Sequence, residues 1–203
     1  LAQNYMVSNK AGIEAADFKG ILPIHPMAAF LLKHLSVSAI GSNQRSMFEF
    51  LNGSEFKAFA QRGGLDVPGF QFLTVDHLWG YFVERDDLGT SKVVEEVRAE
   101  YSRRESDLQP DERRVFKVVL LFWMIEQLQD SGHPLLSATE ENIKRSFEGD
   151  GAVVGVGEIL RNLEQKHCFT IVNGRCERFR DRSDSREIEE QKAELAGKFS
   201  ELF

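Results

Sequence analysis

The dipeptide Asn173-Gly174 constrains this chain more than any other feature, because it sits between two short strand-like runs, 168–172 and 175–179. A type I′ turn needs positive φ at both central residues, and Asn followed by Gly supplies both, so the two runs are expected to close into a tight hairpin. Helical segments precede it. Pro110 opens a segment from 111 to 129 with acidic residues in its first turn and Val115, Val118, Val119, Phe122, Trp123, Ile125 and Leu128 at helical spacing. That is the pattern of a core helix. Gly132 and Pro134 end it, Thr139 caps a short helix through Phe147, and a Gly-rich turn leads into a helix from 156 to 166. Helix, helix, helix, hairpin is the order of a winged helix.

The N-terminal half reads as a separate set of helices. Pro23 and Pro26 bracket an extended stretch, 21–25, since a residue before proline is pushed out of the helical region, and Pro26 suits the first turn of a helix. That helix runs from 27 to 40, with Phe30, Leu31, Leu35 and Val37 on one face, and ends at Gly41. Ser42 or Asn43 caps the next, whose apolar face is Met47, Phe48, Phe50 and Leu51, and a third spans 55–61. Residues 65–73 read as a loop with an extended piece at 70–73, and Thr74 or Asp76 as the cap of a helix from 77 to 85. The segment 91–108 is rich in Glu and Arg at helical intervals and poor in apolar positions, so it is expected to be an exposed connecting helix. The predicted fold is mainly α: a helical, lid-like region over 1–90, the charged connecting helix over 91–109, a winged-helix-like domain over 110–182 and an amphipathic helix over 183–203.

Composition narrows the function classes. The chain of 203 residues is long enough to bury a sizeable core, and its 16 Phe against 3 Tyr and 2 Trp make its aromatic content mostly core material. A formal net charge of -7 does not suit a molecule that coats nucleic acid, so any contact with DNA must be local. In the expected hairpin Cys176 faces Ile171 and Cys168 faces Phe179, so a disulfide is not expected, which fits a reducing compartment. With no apolar run of membrane-spanning length and no signal-peptide pattern, the chain is expected in the cytoplasm without a membrane partner. It begins at Leu1 rather than Met and is read as a piece of a longer chain.

A nucleotide hydrolase needs a G-x-x-x-x-G-K-[ST] loop, and the Gly-rich run at Gly149, Gly151, Gly155 and Gly157 lacks the following Lys. His25, His34, His77, His133 and His167 lack the i, i+4 spacing of a zinc hydrolase, neither cysteine has a C-x-x-C partner, and no Ser lies in a G-x-S-x-G elbow. The chain is therefore expected to be no enzyme by itself, with no metal site and no cofactor of its own.

Two stretches stand out: Leu22-Pro23-Ile24-His25-Pro26 and, one helix later, the run from Gly41 through Asn43, Arg45, Ser46, Phe48 and Phe50 to Leu51. Together, over about residues 21–52, they resemble the part that follows the ATPase core in very large prokaryotic P-loop proteins, including those of BREX-type phage-defence systems. The resemblance implies a helical lid and winged helix whose ATP and magnesium belong to the parent protein. An arginine at a helix start in that place can reach a γ-phosphate, which makes Arg45, beside Asn43, the candidate nucleotide sensor. The alternative is an ion pair for Arg45 and an ordinary N-cap for Asn43. His25, followed by Pro26, is read as a positioned hydrogen-bonding residue rather than a base.

A second surface points to DNA. The 156–166 helix carries Arg161 and Lys166, and the wing carries Arg175, Arg178 and Arg180, so that six basic and three acidic residues lie between Arg161 and Arg182. Glu158 and Glu164 on the same helix favour domain packing instead. The leading expectation is a non-catalytic regulatory segment coupling nucleotide state to duplex DNA, to partner subunits or to the rest of the parent. The alternatives are a free-standing winged-helix module that dimerises and binds a specific duplex, or a scaffold that does neither.

Overall fold

The computed structural model describes residues 21–37, 47–62, 71–85, 91–129 and 132–178. Helix α1 spans Pro26–Val37, α2 Met47–Asn52, α3 Ser54–Arg62, α4 Lys92–Arg104, α5 Pro110–Leu128, α6 Glu140–Arg145 and α7 Val156–Gln165, and strands β1 (Phe169–Val172) and β2 (Arg175–Arg178) follow. Among the described residues the protein is thus mainly helical with one antiparallel hairpin, as the patterning implied.

Helix α5 is the central post. Pro110 occupies its first turn, where a missing N–H costs nothing, and Glu112 reaches back to accept from the Gln109 N–H at 2.8 Å. From Val118 to Ile125 every residue is buried, so the helix is covered on all sides rather than along one stripe. Buried side chains from Ile24 to Cys176 form one continuous core around it.

The winged-helix order is met in detail. Asn173 (φ 51°) and Gly174 (φ 75°) form the turn, and the register pairs Ile171 with Cys176 and Phe169 with Arg178. Thr139 bridges Arg175 on the other side of β2, and the Cys176 N–H donates to the Ala138 carbonyl at 2.8 Å. Trp123 Nε1 of α5 donates to the Cys176 carbonyl at 2.8 Å, tying the wing to the post. Both cysteines are free and buried. Helix α6 crosses α7 at Gly157, where a Cβ would stand 3.2 Å from Lys144 Cε. Helix α7 ends in a Schellman motif: the His167 N–H bonds to Glu164 and the Cys168 N–H to Leu163, with His167 left-handed at φ 57°.

Three expectations change. The charged segment does form a helix, α4, but it is no exposed spacer: Val94, Val97 and Tyr101 are buried against the core. Three apolar residues spaced i, i+3 and i+7 suffice for one seam. The helix expected from 77 to 85 divides into a 3-10 turn, Val75–His77, and a π-helical turn, Gly80–Glu84, whose Val83 carbonyl accepts from both Nε and Nη2 of Arg98. Residues 21–25 and 70–73, read as unrelated extended pieces, meet in part. Ile24 and Leu73 form a parallel bridge in which the His25 N–H bonds to the Leu73 carbonyl at 3.0 Å and the Leu73 N–H to the Pro23 carbonyl at 2.9 Å. This paired strap, 21–25 with 71–77, lies against the post. Among the described residues no helix is long and apolar enough to cross a membrane.

Candidate functional site

The surface that a winged helix offers to a ligand is formed by α6, α7 and the wing. Its cations are engaged within the molecule. Lys166 Nζ bonds to Glu112 of α5 at 2.6 Å, Arg175 to Glu126 at 2.8 Å, and Arg178 to Glu96 of α4 at 3.4 Å while its guanidinium lies over the Trp123 ring. On α6, Lys144 pairs with Glu140 at 3.2 Å and Arg145 with Glu141. A groove of about 570 Å³ between α6 and the wing tip is lined by Glu140, Glu141, Glu148, Lys144 and Arg145, so its charges are mixed as well.

Helix α7 is mixed as well, with Glu158 exposed one turn ahead of Arg161. Arg161, Asn162 and Gln165 are exposed. Glu164, one of the two acids that argued against nucleic acid, is turned away from that face and accepts from the Ile171 N–H at 2.7 Å, closing the outer edge of β1. The C-terminus of α7 is fixed to the opposite corner: Arg104 Nη1 donates to the Lys166 carbonyl at 3.1 Å, and Lys166 Nζ to the Asp107 carbonyl at 3.0 Å. Burial works against the Glu112 carboxylate, but the Lys166 ammonium and the Gln109 N–H outweigh it and hold its pKa below the ordinary glutamate range. Lys166 therefore serves as an anchor of the fold.

A buried polar junction joins the strap to the winged helix. Arg114, on the first turns of α5, reaches between Asp76 of the strap and Asp150 of the loop before α7. Its Nε donates to Asp76 Oδ2 at 2.7 Å, and its Nη2 to Thr74 Oγ1 at 3.1 Å and to Asp150 Oδ2 at 3.3 Å. The Thr74 hydroxyl donates to Asp76 Oδ1. The two acids are nearly sealed from solvent, with side-chain exposures of 7% and 2%, against 25% for Arg114. Burial alone lowers an arginine pKa, yet the hydrogen bond and charge of Asp76, with those of Asp150, raise it above its ordinary value. One cation thus serves two buried carboxylates.

His25 stands at the same junction. Its Nδ1 accepts from the Met27 N–H at 3.2 Å, and its Nε2 lies 3.0 Å from the Glu148 carbonyl, which defines the neutral tautomer with the proton on Nε2. Burial lowers its pKa, against the opposing pull of Glu148 and Asp150. Its ring meets Phe72 edge-on. His25 thus has a hydrogen-bond partner at each ring nitrogen, and Pro26 starts α1 just behind it.

Compared with protein-family models, with curated proteins and with solved structures, the chain matches none. Arg45, Asn43 and Arg180 lie outside the described residues. The sequence pattern did not single out Arg114 or Asp150, and it offered Thr74 or Asp76 only as a helix cap. The one available signal was Arg114 itself, a cation near the head of the long core helix.

Proposed function

We propose that this chain is a non-catalytic coupling segment of a larger ATP-driven protein of the kind its 21–52 stretch resembles. It carries the nucleotide state sensed near Arg45 to a protein partner, or to another part of the parent, seated on the winged helix. ATP and magnesium belong to the parent, and the phage-defence setting comes from that resemblance alone.

The observation that carries this reading is the Arg114 junction. It fastens Thr74 and Asp76 of the strap to Asp150 at the head of α7, within one continuous core. A displacement of the strap side is thereby passed to the winged helix rather than absorbed between them. A protein occupant is favoured because the cations of the wing and of α6 are paired with carboxylates, and a phosphate backbone would have to displace those partners first. The test is ATP hydrolysis by the intact parent carrying Arg45→Ala. Slower turnover with a native-like circular dichroism spectrum is the expected result, and unchanged turnover removes the sensor role.

Duplex DNA is the second reading, favoured by the exposed Arg161, Asn162 and Gln165 on α7 with Glu164 turned away. It requires binding to a labelled duplex that weakens steeply with salt and is lost when Arg161 becomes Ala. No binding at low salt excludes it.

A further inference from the structure

Helix α7 is anchored at one end and held conditionally at the other. Its C-terminus is fixed by Arg104 and Lys166 to the α4–α5 corner. Its N-terminus follows a loop, 149–155, that begins at Gly149 (φ 82°) and ends at Gly155 (φ 72°), both left-handed. In that loop Gly151, Ala152 and Val154 are exposed, with Val154 79% accessible, while Asp150 alone turns inward with Val153.

Two contacts from outside the loop hold it, one from α5 and one from the strap. Arg114 takes Asp150, and His25 takes the carbonyl of Glu148 just ahead of it. Both holders answer to the strap. His25 is part of it, and three of the four side-chain hydrogen bonds of Arg114 go to Asp76 and Thr74 there, the shortest at 2.7 Å, against a single one of 3.3 Å to Asp150. Asp150 Oδ1 also accepts from the Ala152 N–H at 3.3 Å, so the carboxylate sets the shape of the loop while it takes the guanidinium.

We propose that the 149–155 loop is a latched hinge: the Asp150–Arg114 contact seats the N-terminus of α7 only while the strap holds Arg114 and His25 in place. The two left-handed glycines at its ends absorb the backbone rotation when the latch opens, and α7 pivots about its anchored C-terminus. This supplies the moving part for the coupling proposed above and rests on that reading only for its use.

The test is amide hydrogen exchange on the 203-residue chain, without nucleotide or partner, comparing wild type with Asp150→Asn. Loss of one buried charge-assisted hydrogen bond is expected to speed exchange about tenfold in the latched unit. That unit includes the Glu158 and Ile159 amides, which bond to the Gly155 carbonyl, and also the His25 and Leu73 amides of the strap, which bond to the Leu73 and Pro23 carbonyls. The Cys176 amide, bonded to Ala138, is expected to keep its wild-type rate.

Acceleration confined to residues 150–153, with the strap and α7 unchanged, would overturn the latch. So would a uniform acceleration that includes Cys176. Thr74→Val perturbs the junction from the strap side and is expected to loosen the Glu158 and Ile159 amides in turn, because coupling is reciprocal; unchanged rates there would equally overturn it. Since neither measurement involves ATP, failure here leaves the coupling reading to the Arg45→Ala experiment.

Discussion

Replacing Arg114 by Met removes the cation and keeps most of the side-chain volume, leaving Asp76 and Asp150 buried without their partner. At an effective dielectric of about 20, a unit pair at the 2.7 Å of the Asp76 contact attracts by about 6 kcal/mol. Desolvation of the three groups offsets much of that in the intact protein. In the variant the attraction disappears while the desolvation of the two buried carboxylates stays, and breaking such a pair from one side costs about 3–5 kcal/mol. For a chain of this size that corresponds to a fall in melting temperature on the order of 10 °C. Urea unfolding followed by the fluorescence of the buried Trp79 and Trp123 measures it. A double-mutant cycle with Asp76→Asn should return a coupling of about 2 kcal/mol. A loss below about 1 kcal/mol for Arg114→Met, the size of an exposed surface pair, would refute the view of this junction as a structural lock.

Two further outcomes follow from burial. His25 and His34 both have folded-state pKa values below the ordinary 6.5, mainly through burial, so the unfolded chain takes up protons first as the pH drops; stability is full above about 6.5 and declines as the pH falls toward the folded values. Urea midpoints at pH 7.5 and 5.5 should differ accordingly, and the difference should narrow in His25→Gln; equal midpoints in wild type would contradict this. Burial pushes the Cys168 thiol up to about 11 and that of Cys176 to about 12, so neither should react with iodoacetamide at pH 8 until the protein unfolds, and rapid native labelling would contradict their placement. Trp123→Phe deletes the indole N–H that satisfies the Cys176 carbonyl and should cost about 1–3 kcal/mol in the same urea assay, with a cost near zero counting against the tie between wing and post.

How much was legible depended on whether the deciding contacts were local. The hairpin could be read because the Asn173-Gly174 turn sets its own register within a few residues. Helix α5 could be read because Pro110, Glu112 and the apolar run act within one segment. The strap could not, since Ile24 and Leu73 pair in parallel across 48 intervening residues with no turn between them to announce it. Helix α4 was misjudged as exposed because three apolar residues are a thin signal until the face they meet is known. Asp76 illustrates the same limit: beside Thr74 its local chemistry is that of a cap, and only Arg114, 38 residues on, turns it into half of a buried pair. Glu164 and Lys166, placed on an exposed face by helical period, are both drawn into structural bonds by their long side chains.

The most direct test of coupling is amide exchange measured in the intact parent protein, with and without a non-hydrolysable ATP analogue. A coupling segment requires nucleotide to change protection at two separated places together, the His25 and Leu73 amides of the strap and the Glu158 and Ile159 amides at the head of α7. A change confined to the strap, or none at either place, would contradict the account.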